Sequence, residues 1–157
     1  MSHTEPWRGK VGPLQHEEIV QFLNEPVVAR MASLDLNGWP YVIPCWQEWD
    51  GDGWWVIPRE RSVWARNLEH DPRCAISVDE SGGQLRKIVA QCTAQLVERP
   101  NVGGKWVEIG ERMAIRYLGE NGMRYFEPTR NQPRWLFHLE PRSTVTWQGT
   151  DWAARYK

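Results

Sequence analysis

The pattern of apolar and polar residues predicts a chain of short strands with a few amphipathic helices between them. Alternating or β-branched and aromatic runs recur, and most are separated by turns rich in Asp, Asn and Gly. The predicted strands are 27–34, 41–49, 54–57, 73–79, 85–98, 134–139 and 143–147. Apolar residues at helical spacing predict helices at 14–23, at 105–118 and between Ser62 and Asp71, whereas 120–133 is predicted to be irregular.

Seven short strands joined mostly by turns indicate a mainly β protein of the α+β class. We expect an antiparallel barrel that is closed or nearly closed, because closure removes exposed strand edges. Residues 1–13, with two prolines and two glycines, are predicted to form a flexible N-terminal arm. Residues 14–157 then form a single domain, which a chain of 157 residues is long enough to build around one core.

Composition excludes several classes of function. The formal net charge of -1 gives no electrostatic reason for nucleic-acid binding. No run approaches the roughly 18 apolar residues that would span a membrane. Three widely spaced cysteines do not form a disulfide framework, and the first residues lack a signal-peptide core, so we expect a cytoplasmic protein. Four scattered histidines show no zinc-ligand spacing, and no metal site is predicted.

Tryptophan is unusually abundant, with 11 residues in the chain. Such large flat side chains serve equally well in an aromatic core, a subunit interface or a pocket for a planar ligand.

One basic stretch is a candidate anion site. Arg59, Arg61 and Arg66 surround Ser62, whose hydroxyl is suited to cap the helix that follows. Free N–H groups at a helix N-terminus, together with guanidinium groups, favour bound phosphate. The same pattern also fits an ordinary solvated helix with surface arginines, so both interpretations stay open.

Catalytic signatures are absent from the sequence. There is no glycine-rich dinucleotide motif, no P-loop and no nucleophile elbow. Cys45 has no obvious His partner and is interpreted as a small buried apolar residue. Glu48, Asp50 and Asp52 flank a turn, where acidic residues are expected without a catalytic role.

Taken in succession, several stretches resemble the flavin-binding split-barrel family of pyridoxamine 5′-phosphate oxidase. They are VVARMASLDLNGWPYVIPCWQEWDGDG at 27–53, RERSVWARNLEHDPRCAISVD at 59–79, and KIVAQCTAQLVE at 87–98, with the order continuing through 117–147. The resemblance implies a homodimer of split barrels with FMN at the subunit interface. It also implies an oxidoreductase that transfers hydride between the flavin and a small-molecule substrate.

The resemblance also assigns cofactor roles residue by residue. Arg30 matches a first-strand arginine that reaches the phosphate, and Ser62 matches the residue that starts the anchoring helix. The full set of expected cofactor-binding residues is Arg30, Pro44, Cys45, Trp46, Arg59, Arg61, Ser62, Trp64, Arg66 and Lys87. Pro44, Cys45 and Trp46 would border the isoalloxazine ring, and Lys87 would lie near it.

Two departures from the family pattern keep other functions open. Trp64 occupies the position of the usual Lys and cannot neutralise a phosphate, so Arg59 or Arg61 would supply that charge. Cys92 stands where a Gly is usual. The alternatives are a deazaflavin-dependent reductase on the same fold, or a non-catalytic dimeric module that binds flavin or haem. For haem, His138 is the candidate ligand.

Overall fold

A computed structural model describes residues 9–151 of the chain. These residues form four α-helices and seven β-strands. The helices are α1 (His16–Leu23), α2 (Val63–His70), α3 (Trp106–Leu118) and α4 (Gly122–Phe126). The strands are β1 (Ala29–Leu34), β2 (Pro40–Cys45), β3 (Glu48–Trp49), β4 (Trp54–Val56), β5 (Arg73–Asp79), β6 (Lys87–Asn101) and β7 (Arg134–Trp147). None of the helices in this described part is long and apolar enough to cross a bilayer.

All seven strands belong to one antiparallel sheet with the order β2-β1-β5-β6-β7-β4-β3. The two edge strands, β2 and β3, are consecutive in the chain and are separated only by Trp46 and Gln47. A two-residue connection spans at most about 10 Å. The sheet must therefore curl until its two edge strands, β2 and β3, lie close together. The predicted mainly β antiparallel split barrel is confirmed.

The crossing from β2 to β3 is fixed by α3. The Tyr117 hydroxyl donates a hydrogen bond to the Val27 carbonyl (2.8 Å) and accepts one from the Gln47 N–H (3.2 Å). The Arg116 guanidinium donates to the Gln47 carbonyl (2.8 Å) and pairs with the buried Glu48 carboxylate (2.9 Å). Burial raises the pKa of Tyr117, which keeps its hydroxyl protonated as a donor.

The apolar core has two parts. The larger part fills the barrel and includes the inward faces of β5 and β6, with the alternation that the sequence predicts at Ile76, Val78, Ile88 and Ala90. The smaller part lies between α3, α4 and the sheet. It comprises Trp106, Ile109, Met113, Ala114, Phe126 and Leu136.

Most predicted elements are confirmed, including the β1–β2 hairpin and the bounds of β5. The predicted strand 41–49 is wrong as one element, because the chain leaves one sheet edge at Trp46 and joins the other. The predicted strands 134–139 and 143–147 are one strand. Its corner at Arg142 is a β-bulge, since Gln91 pairs with Ser143 and Cys92 with Pro141.

The region 120–133 is helical rather than irregular. It contains α4 and two short 3-10 turns, Gly119–Asn121 and Glu127–Thr129. The helical spacing was too short to recognise, and Gly122 reads as a helix breaker. Gly122 is required here for packing, because a Cβ atom would lie 2.6 Å from the Ala114 carbonyl oxygen.

The predicted arm is described only from residue 9. Gly12 exchanges two backbone hydrogen bonds with Gln148 (3.0 and 2.8 Å), so this end of the arm is attached to the barrel. Residues 1–8 and 152–157 lie outside the described part.

We predict that Tyr117→Phe lowers the free energy of unfolding by about 1–2 kcal/mol, because the Val27 carbonyl and the Gln47 N–H lose their partner. Urea denaturation measures the change. Tyr41→Phe is the matched control, since the Tyr41 side chain makes no hydrogen bond among the described residues. Equal stability of the two variants would contradict a role of the hydroxyl in closing the barrel.

Candidate functional site

A cavity of about 340 Å³ lies beside the β2–β3 crossing, within the size range of small-molecule sites. Its walls come from the end of β2, the turn between β4 and α2, the first turn of α2, the helices α3 and α4, and the start of β7. The lining residues are Pro44, Cys45, Trp46, Ile57, Pro58, Arg59, Ser62, Trp64, Trp106, Gly110, Met113, Tyr125, Phe126 and Arg134. The lining is therefore mainly apolar, with five aromatic side chains and with Arg59, Ser62 and Arg134 as its polar and cationic groups.

The turn that carries Arg59 and Ser62 is anchored to the start of β7. The Trp135 N–H donates to the Pro58 carbonyl (3.0 Å), and its indole N–H donates to the Glu60 carbonyl (3.0 Å). Since Pro58 also fixes the local backbone angle, the turn presents its side chains from a rigid support.

Ser62 occupies the N-cap position of α2 with extended backbone angles, as predicted. The expected capping hydrogen bond is absent, which corrects the sequence interpretation of its hydroxyl. Among the described residues this hydroxyl has no partner, and it lines the cavity. In the first turn of α2 the Ala65 N–H donates to the Ser62 carbonyl (3.2 Å), which leaves the N–H groups of Val63 and Trp64. Together with the Ser62 hydroxyl these two groups can bind an anion.

Aromatic contacts set the shape of the cavity. Trp46 stacks on Tyr117 with ring centroids 4.9 Å apart and an interplanar angle of 4°. Its other near neighbour, Tyr125, meets it edge-on at 5.5 Å. Gly110 lets α3 approach α4, because a Cβ atom there would lie 2.7 Å from the Phe126 ring. These rigid flat walls suit a planar ligand.

Cys45 lines the cavity as a neutral thiol. It stands opposite Ala29 in the β1–β2 pairing, and burial raises the pKa of its thiol to about 12. A thiol with that pKa carries almost no thiolate near neutral pH and is a poor nucleophile. This agrees with the interpretation of Cys45 as a small apolar residue, although its side chain is half-buried rather than fully buried.

The ten residues expected to bind a cofactor fall into three groups. Six of them line the cavity: Pro44, Cys45, Trp46, Arg59, Ser62 and Trp64. Arg30 and Lys87 lie on the outer face of the sheet, and Arg61 and Arg66 are exposed near and on α2 without lining the cavity.

Of the two outer-face residues, Arg30 lies beside the cavity rather than in it, and Lys87 lies two strands farther along the sheet. Arg30 is the direct cross-strand partner of the lining residue Pro44. Its guanidinium forms an exposed ion pair with Asp79 (3.0 Å), which in turn stands opposite Lys87. Exposed pairs of this kind contribute little stability, so Arg30 can exchange Asp79 for a ligand at small cost.

Sequence reasoning missed the half of the cavity contributed by α3, α4 and the start of β7. Trp106 and Met113 were recognised only as apolar positions of a helix. Tyr125 and Phe126 belonged to a region predicted to be irregular, and Arg134 appeared as the first residue of a strand. The available signal was the aromatic pair Tyr125 and Phe126, which precedes the strand that begins with Arg134.

Asp50 and His138 have a structural role at the turn before β4. The Asp50 carboxylate accepts hydrogen bonds from the N–H groups of Asp52 (2.9 Å) and Gly53 (2.8 Å), and lies 3.0 Å from His138 Nε2. Burial opposes ionisation of Asp50, but these hydrogen bonds and His138 leave its pKa below the usual value. Within residues 9–151 no three His, Cys, Asp or Glu side chains are grouped as a metal site, and His138 does not line the cavity.

The curled antiparallel sheet with an aromatic cavity beside its crossing strands defines a split-barrel protein. The family model described as pyridoxamine 5′-phosphate oxidase matches residues 15–148, and the chain belongs to that family. The resemblance found in the sequence is thereby confirmed. A comparison with curated proteins finds no match.

Solved structures share the fold at low sequence identity. A haem storage protein, HutZ of Vibrio cholerae, is 24% identical, with 83% of this chain and 93% of that chain covered and a TM-score of 0.64. An FAD-binding protein of Mesorhizobium loti is 16% identical (90% and 98% covered, TM-score 0.63). An F420 reductase is 21% identical (79% and 93% covered, TM-score 0.62). These identities establish the fold alone.

We predict that Cys45 reacts slowly with iodoacetamide in the folded protein. At pH 8 a thiol with a pKa near 12 is ionised on the order of a thousandfold less than an ordinary thiol, so alkylation slows by a similar factor. Timed mass spectrometry of the Cys45 peptide, with urea-unfolded protein as reference, measures the rate. The rate should rise about tenfold per pH unit between pH 8 and 10; rapid modification at pH 8 would contradict the assignment.

Proposed function

We propose that the protein binds FMN and acts as a flavin-dependent oxidoreductase on a small molecule. The observation that carries the proposal is the cavity itself. It combines a Ser62 hydroxyl that has no partner in the described part of the chain, at a helix N-terminus, with flat aromatic walls. It also brings together six of the residues that the family resemblance assigns to cofactor binding.

Different residues of the cavity would bind the phosphate and the ring system of FMN. Ser62 and the N–H groups that begin α2 would hold the phosphate, and Arg59 or Arg61 would supply the charge that Trp64 lacks. Trp46 and Trp64 would bound the ring system. When bound, the flavin supplies hydride-transfer chemistry, which agrees with the absence of a catalytic acid, base or nucleophile motif in the sequence.

Two alternatives keep the fold and change the ligand. A reduced deazaflavin carries a longer, more charged tail, for which Arg59 and Arg61 together are suited, and one structural neighbour is an F420 reductase. A non-catalytic flavin or haem module is the other alternative, since another neighbour is a haem storage protein. Haem is less favoured because His138, the candidate ligand, is bonded to Asp50 and lies outside the cavity lining.

The outer sheet face supports a homodimer. Two cross-strand rows run over five strands on this face. One row is Pro44, Arg30, Ser77, Val89 and Val145, and the other is Val42, Ala32, Ala75, Gln91 and Ser143. Of these ten residues only Arg30 is charged, and Val42, Val89 and Val145 are 62%, 47% and 47% exposed. We infer that a second copy covers this face, because a surface of this extent with a single charged residue and several exposed valines favours association.

This interface would also complete the cofactor site. Pro44 belongs both to the outer face and to the cavity lining, so the cavity opens beside the proposed interface. Arg30, its cross-strand partner, would then lie near a cofactor held between the two copies.

We predict that the purified protein retains about one FMN per subunit and that Ser62→Ala weakens FMN binding by about 10- to 100-fold, the effect of losing a hydrogen bond to a charged group. Arg30→Ala should also weaken it. Visible absorption after gel filtration and fluorescence titration measure binding, with the exposed Ser81→Ala as control. Unchanged affinity in both Ser62 and Arg30 variants would refute the phosphate assignment, and tighter binding of a deazaflavin in direct competition would favour that alternative.

We also predict that sedimentation equilibrium gives twice the mass of one chain, and that Val89→Asp shifts the protein to monomer by burying a charge in the interface. Val102→Asp makes the same change at an exposed loop valine outside both rows and should leave the dimer intact. A wild-type monomer at micromolar concentration, or an intact dimer in Val89→Asp, would refute this interface.

A further inference from the structure

Two cysteines face each other across neighbouring strands of the sheet. Cys74 on β5 is the direct antiparallel partner of Cys92 on β6. The Ala94 N–H donates to the Pro72 carbonyl (2.8 Å), and hydrogen-bonded pairs recur at every second residue, so Cys74 and Cys92 also form a hydrogen-bonded pair. The Cα atoms of such a pair lie about 5.5 Å apart, within the roughly 4.4–6.8 Å that a disulfide requires. The backbone is therefore already placed for a disulfide between them.

The two thiols lie on the same side of the sheet and interact. Directly opposed side chains of an antiparallel pair share one face, and both cysteines are on the inward face, with Cys74 9% and Cys92 3% exposed. The Cys74 Sγ atom lies 3.7 Å from the Cys92 carbonyl oxygen. A hydrogen bond between the thiols raises the pKa of Cys74, as does burial, and lowers the pKa of Cys92 against the opposing effect of burial. Cys92 is thus the thiol that more readily becomes the nucleophilic thiolate.

A second cavity, of about 350 Å³, gives a small reagent access to this pair. Both cysteines line it, together with the exposed residues Pro40, Arg73 and Arg142, which lie outside the two rows of the proposed dimer face. Its lining also includes three residues of that face: Ala32, Ala75 and Gln91. The cavity therefore borders the proposed interface and stays reachable from the side of its exposed residues. It shares no lining residue with the cavity proposed to bind FMN.

The third cysteine of the chain has neither feature. Cys45 stands opposite Ala29, so no thiol is its cross-strand partner. Burial raises the pKa of its thiol to about 12, which keeps it protonated and unreactive. The chain thus contains an internal reference for a cysteine that serves only as a small apolar residue.

We propose that Cys74 and Cys92 form a reversible redox site, which hydrogen peroxide oxidises to a disulfide that joins β5 to β6. The Cys92 thiolate attacks one peroxide oxygen, the O–O bond breaks, hydroxide leaves, and Cys92 becomes a sulfenic acid. The Cys74 sulfur then attacks the Cys92 sulfur, and the S–S bond forms as the sulfenic oxygen leaves as water with the Cys74 proton. In total two thiols lose two electrons and two protons, and one peroxide becomes two water molecules. Exchange with a small thiol, which is itself oxidised to its disulfide, restores both cysteines.

Peptide mapping of the folded protein tests this site, and it needs no cofactor. Reduced protein is treated with hydrogen peroxide, the remaining thiols are blocked with N-ethylmaleimide, and trypsin releases the peptides 74–86 and 88–105, each with one of the two cysteines. We expect these peptides to be joined with the loss of two hydrogen atoms and to separate after dithiothreitol. Thiol loss at Cys45 should be at least about tenfold slower, because so little of it is thiolate.

Protein unfolded in urea before oxidation is the matched reference, since any two of the three cysteines can then pair. The folded protein should give the link between Cys74 and Cys92 alone. Absence of this link in the folded protein, comparable amounts of links to Cys45, or oxidation that dithiothreitol does not reverse would overturn the proposal.

Single variants test the order of the two steps. In Cys74→Ala the sulfenic acid on Cys92 has no thiol to react with, so dimedone, which captures sulfenic acids, should label Cys92. In Cys92→Ala, labelling of Cys74 should be at least about tenfold lower, because the more acidic thiol is gone. Cys45→Ala is the control and should form the link as the wild type does. Equal labelling of Cys74 and Cys92 would refute the assigned order. The link in the wild type remains decisive if a variant does not fold.

Discussion

Closure of the sheet at the β2–β3 crossing is the constraint on which the rest of the structure depends. A sheet whose edge strands are consecutive must bring those edges together within the reach of two residues. The backbone groups at the crossing cannot pair with a neighbouring strand, so α3 satisfies them through Tyr117 and Arg116. The buried Glu48 carboxylate is tolerated there because Arg116 pairs with it. The position of α3, and therefore one wall of the cavity, follows from this need.

The pairing of buried charges differs between the parts of the molecule that stabilise the fold and the cavity that is proposed to bind a ligand. At Glu48 and Arg86 each buried charge has an opposite partner from another segment, so the pairing holds segments in register. In the cavity the cationic groups have no such partners among residues 9–151, and within the same range the Ser62 hydroxyl makes no hydrogen bond. Folding alone does not require this arrangement, and it costs stability. Sites of function are where such local costs are expected.

The sequence was sufficient for the elements whose local signals agree with their environment. Alternation in β5 and β6 reflects one face in the barrel and one outside, and so predicted both strands and their buried residues. Prediction from the sequence failed where tertiary packing overrides the local conformational preference of the residues. The break at Trp46 depends on the meeting of two distant edges, the bulge at Arg142 depends on the partner strand β6, and α4 depends on close packing against α3.

The same dependence on tertiary packing explains why only part of the cavity lining was predicted from the sequence. Residues that match a family pattern, such as Ser62 and Trp46, could be assigned from the sequence, and they do line one cavity. Arg134 could not, because only the folded arrangement of Arg59, Thr129 and Trp106 shows that it lines the cavity and has no carboxylate partner among residues 9–151.

The parallel stacking of Trp46 on Tyr117 links the cavity wall to the joint that closes the barrel. A ring that packs against Trp46 would favour the conformation in which Tyr117 holds the β2–β3 crossing. Occupancy and closure are then thermodynamically coupled, since a ligand that binds only the closed barrel stabilises it by mass action. The wall of the site and the joint that closes the sheet are therefore the same piece of chain.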